Sequence, residues 1–165
     1  MATGALASVN EYLSTSYSPD CEYIDGAIVE RNVGEYDHAR LQLAIGSYLY
    51  TRRREFGIKV VTEQRVQVSP TRFRVPDVCV TLQSPEQIFT RPPFICIEIL
   101  SPEDRLSALQ DRAADYLRMG VPYVGMIDPK TRNAYRWTSE GMQRIHELRT
   151  EDPEIVVRLE ALFEE

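Results

Sequence analysis

Two acidic residues stand where the sequence otherwise calls for hydrophobic ones. Asp77 lies in Val75-Pro76-Asp77-Val78-Cys79-Val80 and Glu98 in Ile95-Cys96-Ile97-Glu98-Ile99-Leu100, segments with the β-branched character of sheet strands. If the loop Gln83 to Pro92 joins them as a hairpin, Leu82 pairs with Pro93, paired numbers sum to 175, and Asp77 falls opposite Glu98. Alternation then places both carboxylates on one face, with β-carbons about 4.5 to 5.5 Å apart. The same register sets Cys79 opposite Cys96, whereas a slip of one residue would destroy the pair. Two opposed carboxylates on a half-buried face need a cation, a shared proton or an arginine to coexist. Hard oxygen donors suit Mg²⁺ or Mn²⁺ rather than zinc. The plain structural alternative is one acid ending its strand in solvent.

The elements that must position this pair are legible in pattern. A helix is expected from about Ser8 to Ser16, then a hairpin of Cys21 to Ile24 and Ala27 to Arg31 around Asp25-Gly26, a tight-turn signal. Leu41, Ile45, Tyr48 and Leu49 make an apolar stripe on a long helix from Asp37 to Phe56, stopped by Gly57. Strands follow over Lys59 to Val68, Phe73 to Leu82 and Phe94 to Leu100, an antiparallel three-strand meander. Ser101-Pro102-Glu103-Asp104 reads as a helix opening, and the helix runs to Met119, with Arg105 and Arg112 side by side on its flank. Strands at Tyr123 to Ile127, Ala134 to Thr138, Met142 to Leu148 and Ile155 to Arg158 precede a helical turn to Phe163. The expected class is α/β (α+β), a mixed sheet flanked by helices, in one domain spanning 1–165, with the N-terminal helix and hairpin (about 8–31) packed on its core.

Composition narrows the function. The chain has 165 residues, 43% hydrophobic and 27% charged, which excludes a fibre, a disordered tail and a multi-domain assembly. Neither a long apolar run nor a basic-then-apolar start is visible, so a cytoplasmic protein without a membrane span is expected. A net charge of −6 excludes coating of nucleic acid by bulk electrostatics, so any such contact must be local. Seventeen arginines stand against two lysines, Lys59 and Lys130, so chemistry that needs a lysine has two candidates, both expected in solvent. Cys21, Cys79 and Cys96, without C-x-x-C spacing, read as reduced packing residues.

Arg74-Val-Pro-Asp77, then Ile97-Glu98-Ile-Leu-Ser-Pro-Glu-Asp-Arg105, then Tyr116-Leu-Arg-Met-Gly120-Val-Pro-Tyr-Val together resemble the putative restriction endonuclease family of the PD-(D/E)XK nuclease superfamily. The resemblance extends to Glu22-Tyr-Ile-Asp-Gly26 and to His38, and so covers most of the chain. It implies a restriction-endonuclease-like core and phosphodiester hydrolysis, with Asp77 and Glu98 binding the metal. The superfamily's lysine two residues after the glutamate is here Leu100, and the position matching its migrated counterpart is Arg112. Arginine can hold a phosphate but cannot act as a base.

Other residues carry open readings. His38 sits on the apolar stripe of the long helix as either a packing histidine or a site residue. A two-residue turn at Pro70-Thr71 would put Gln64 opposite Asp77, and a three-residue turn Glu63, either as a third oxygen ligand or facing solvent. Arg52-Arg53-Arg54, with Arg72 and Arg74, offers phosphate contacts or a solvated helix end. The resulting expectation is a Mg²⁺- or Mn²⁺-dependent endodeoxyribonuclease acting as a homodimer on DNA. Asp77, Glu98 and the Ile99 carbonyl hold the ion, Arg112 clamps the phosphate, Gln64 and His38 support the site, and Arg74 and Arg105 meet the substrate. The alternatives are a nuclease-fold binding or assembly module, and a metal hydrolase of another phosphate ester, although no Gly-rich phosphate loop is present.

Overall fold

A computed structural model describes residues 5–32 and 34–164. Helix α1 (Val9–Ser14) opens with a capping box, in which Ser8 and Glu11 exchange side-chain and backbone bonds. The hairpin β1 (Cys21–Ile24) and β2 (Ala27–Glu30) turns at Asp25-Gly26, both with positive φ. The long helix is two helices, α2 (Tyr36–Thr51) and the single turn α3 (Arg53–Phe56), because Arg52 leaves helical geometry between them.

The long strands expected at Lys59 to Val68 and Phe73 to Leu82 are each divided between two sheets. β3 (Lys59–Thr62) and β4 (Val66–Ser69) part at Glu63, whose φ of 52° breaks the extended chain. β5 (Arg72–Arg74) and β6 (Val78–Thr81) part at Val75-Pro76-Asp77, where proline cannot donate to a ladder. β4 and β5 join the hairpin in a four-stranded sheet of order β2-β1-β5-β4. β3 and β6 join β7 (Ile95–Ile99), β8 (Tyr123–Ile127), β9 (Ala134–Thr138) and β10 (Gly141–Ile145) in a six-stranded sheet of order β10-β9-β8-β7-β6-β3. Only β7 and β8 pair in parallel there, and helix α4 (Leu106–Met119) connects them. The sheet is thus mixed, with antiparallel β3, β6 and β7 as its meander. The expected strand to Leu148 also divides, giving β11 (Glu147–Arg149), which pairs with β12 (Val156–Arg158) ahead of the turn α5 (Leu159–Leu162).

Alternation along β6 and β7 sorts the core into two faces. Val78, Val80, Ile95, Ile97 and Ile99 pack under Leu41, Ile45 and Leu49 of α2. Cys79 and Cys96, directly paired, face the other way with Leu109, Ala113 and Tyr116 of α4. Glu98 shares the parity of Cys96 and therefore points toward α4.

Helix α4 begins four residues later than the Ser101 cap implies. The Ser101 N–H donates to the Asp104 carboxylate at 2.7 Å and the Asp104 N–H to the Ser101 carbonyl at 3.0 Å, closing a single turn that ends at Arg105, whose extended backbone (φ −97°, ψ 143°) separates it from the helix. Its end at Gly120, φ 102°, is as the pattern indicates. Among the described residues no helix is long and apolar enough to cross a membrane.

Candidate active site

The observed register between β6 and β7, Val78 with Ile97 and Val80 with Ile95, keeps the sum of 175. Asp77 sits one step before β6, so its side chain ends the ladder. Its Oδ2 accepts the Ile99 N–H at 2.7 Å, and Gln42 of α2 donates to its carbonyl at 3.0 Å. Both acids are nearly buried, Asp77 at 2% and Glu98 at 4% exposure.

Each carboxylate already has company. Asp77 Oδ1 accepts from Arg31 at 2.7 Å and lies 3.4 Å from His38 Nε2. The hydrogen bond to Asp77 raises the His38 pKa above its ordinary value against the effect of burial. Glu98 Oε1 accepts the Tyr116 hydroxyl at 2.5 Å. Burial, then the charge of Asp77, pushes the Glu98 carboxyl up to about 8, so near neutrality it holds its proton. Arg112 reaches across from α4, 3.7 Å from Glu22 and 3.4 Å from Asp104.

These groups enclose a cavity of about 20 Å³ lined by Arg31, His38, Asp77, Glu98, Ile99 and Arg112, among others. That is room for one water or one small ion. It shares His38, Ser101 and Asp104 with a groove of about 530 Å³ that also carries Glu35, Asp37 and Lys130. Among the described residues no three acid, histidine or cysteine side chains converge as a closed metal cage. The donor set still fits Mg²⁺, which takes one or two carboxylates and leaves its other positions to water and substrate phosphate. Arg31 is already seated against Asp77, and Arg112 lines the same cavity.

The remaining candidates lie elsewhere. Gln64 donates to the carbonyls of Arg65 and Gln87 rather than turning to Asp77, and Glu63 is exposed, 3.8 Å from Arg31. Arg74 is buried among Glu22, Asp111 and Asp115 at 2.6 to 2.8 Å, committed to acids and closed to a phosphate. Arg72 shares Asp111 and Asp115. Arg105 is exposed at the start of α4. Arg52 and Arg53 lie over the rings of Tyr48 and Tyr50. Lys59 and Lys130 are exposed, and all three cysteines are free and buried. Sequence reasoning missed Arg31, Tyr116 and Asp104 as cavity neighbours. Only Tyr116 had a signal, since a buried tyrosine three turns along α4 needs a hydroxyl partner.

The family model described as "Putative restriction endonuclease" (Uma2) matches residues 9–165. The chain belongs to this family. No curated protein matches it. A crystal structure from Anabaena variabilis, titled as a putative nuclease belonging to DUF820, superposes with a TM-score of 0.79 over 93% of this chain and 96% of that one, at 20% identity. That likeness is one of fold, and it agrees with the mixed sheet flanked by helices described above. In this chain two guanidinium groups, Arg31 and Arg112, line the cavity with the two acids.

Proposed function

We propose that the chain is a divalent-metal-dependent endonuclease that hydrolyses DNA phosphodiester bonds. The observation that carries this reading is the ion-sized cavity between Asp77 and Glu98, opening beside a larger groove. Asp77, Glu98 and the Ile99 carbonyl are the groups that would hold Mg²⁺ or Mn²⁺. A bound ion would lower the pKa of the attacking water and offset charge at the phosphate. The chain's own residues do the rest. Arg112, only 16% exposed and lining the cavity, is placed to hold phosphoryl oxygens but never to take a proton. His38 holds Asp77 in orientation through Oδ1. Tyr116 fixes the rotamer of Glu98. Two copies related by a two-fold axis would present two such sites to the two DNA strands.

Nicking of supercoiled plasmid tests this. Activity should require Mg²⁺ or Mn²⁺, stop on chelation, and fall at least about 100-fold in Asp77→Ala, the scale expected when a transition-state charge stabiliser is lost. A folded wild-type protein that cuts no DNA with either ion would remove catalysis from the account. A second reading, a nuclease-derived binding or assembly module, is favoured by Leu100 in the lysine position and by the Arg31–Asp77 pair.

A further inference from the structure

The cleft contains a cation of the protein's own. Arg31 stands one residue past β2, in the segment leading to α2, and 46 positions from Asp77. Its guanidinium is 14% exposed and bonds Asp77 Oδ1 at 2.7 Å, while the second oxygen of Asp77 is held by the Ile99 N–H. Asp77 therefore has both oxygens hydrogen-bonded. Arg31 also forms part of the wall of the 20 Å³ cavity, which has space for a single small occupant.

We propose that Arg31 is the built-in counter-ion of the Asp77–Glu98 pair, and that its contact with Asp77 and the binding of a divalent ion exclude each other. The inference rests on the metal-site reading above. An ion at its usual oxygen distance of about 2.1 Å from Asp77 would meet the guanidinium at a separation that like charges resist. The side chain has somewhere else to go. Its remaining tie is Glu63 at 3.8 Å, itself exposed, so it can swing into the solvent or toward an incoming phosphate without unpacking a core residue. Arg31 thereby sets the metal affinity of the site.

Calorimetric titration of Mn²⁺ into wild type, Arg31→Gln and Arg112→Gln tests the proposal, with circular dichroism to confirm folding. Arg112→Gln removes an equal charge from the same cleft without touching Asp77. Arg31→Gln should bind Mn²⁺ at least about tenfold more tightly than wild type, equivalent to about 1.4 kcal/mol, and Arg112→Gln should gain less. Arg31→Lys, which keeps a charge but not the planar fork, should fall between wild type and Arg31→Gln. Equal affinity in wild type and Arg31→Gln, or an equal gain in Arg112→Gln, would overturn the proposal and leave the ion site standing. Absence of binding in every protein would overturn both.

Discussion

Glu98 ties the chemistry of the site to the stability of the fold. Its carboxyl is raised to about 8 in the folded chain, from an ordinary value near 4.5. Between those values the folded state binds the proton that the unfolded state has released, so stability falls as pH rises through that window. His38, also raised, acts with the same sign, since its contribution is complete below its ordinary 6.5 and is lost as pH climbs through its folded value. With chelator present, the melting temperature should decline from pH 5.5 to 8.5, and Glu98→Gln should remove most of that decline. An unchanged slope in Glu98→Gln would mean that the acid is not the titrating group. Arg112 is the other decisive side chain. If it is the working phosphate ligand, Arg112→Lys should lower nicking by at least about tenfold, through loss of the bidentate fork. Activity that appears only in Arg112→Lys would favour the binding-module reading.

Helix α4 is held to the smaller sheet by buried charges rather than by apolar contact alone. Arg74 of β5 bonds Glu22 of β1 and Asp115 of α4, all three almost inaccessible. Removing the arginine would strip Glu22 of its closest cation, leaving it the Val75 N–H and Arg112 at 3.7 Å, and would leave Asp115 to Arg72 and Arg118. Arg74→Met should therefore cost about 3 to 5 kcal/mol in denaturant unfolding, whereas Arg118→Ala, 70% exposed, should stay within about 0.5 kcal/mol. A small effect from Arg74→Met would show that the network relaxes or admits water. This architecture also explains what pattern could and could not reveal. Asp25-Gly26, the stripe of α2 and the pairing of Cys79 with Cys96 follow from turn chemistry and periodicity, which are local. The division of two strands between sheets turns on Glu63 adopting a left-handed conformation and on Pro76 lacking a donor, and hydrophobic alternation runs through both without a break. Ser101 has the spacing of a cap, and Asp104 does take its N–H, but spacing alone does not reveal that Arg105 is extended and restarts the helix at Leu106. The Asp77–Glu98 juxtaposition was readable because alternation along two strands adjacent in sequence fixes their register, even across the long connection between Thr81 and Ile95. Arg31 was not, because only the pairing of the first hairpin with β5, in the chain running into Asp77, brings it there.

Across the whole molecule, on the proposed endonuclease reading, the −6 charge would leave DNA attraction to a few cationic side chains at one cleft. Most other arginines in the region, Arg72 and Arg74 among them, are already paired with acids. A duplex held by roughly three phosphate contacts should lose affinity with salt on a log–log slope of about −3. A slope near −8 would point to a broad basic footprint, which this charge balance does not supply. The measurement that bears most directly on the central claim is anomalous diffraction at the manganese edge from crystals grown with Mn²⁺. The account predicts a peak within bonding distance of both the Asp77 and Glu98 carboxylates, with the Arg31 guanidinium moved off Asp77. An empty cavity at saturating Mn²⁺, with the Arg31–Asp77 bond intact, would contradict it.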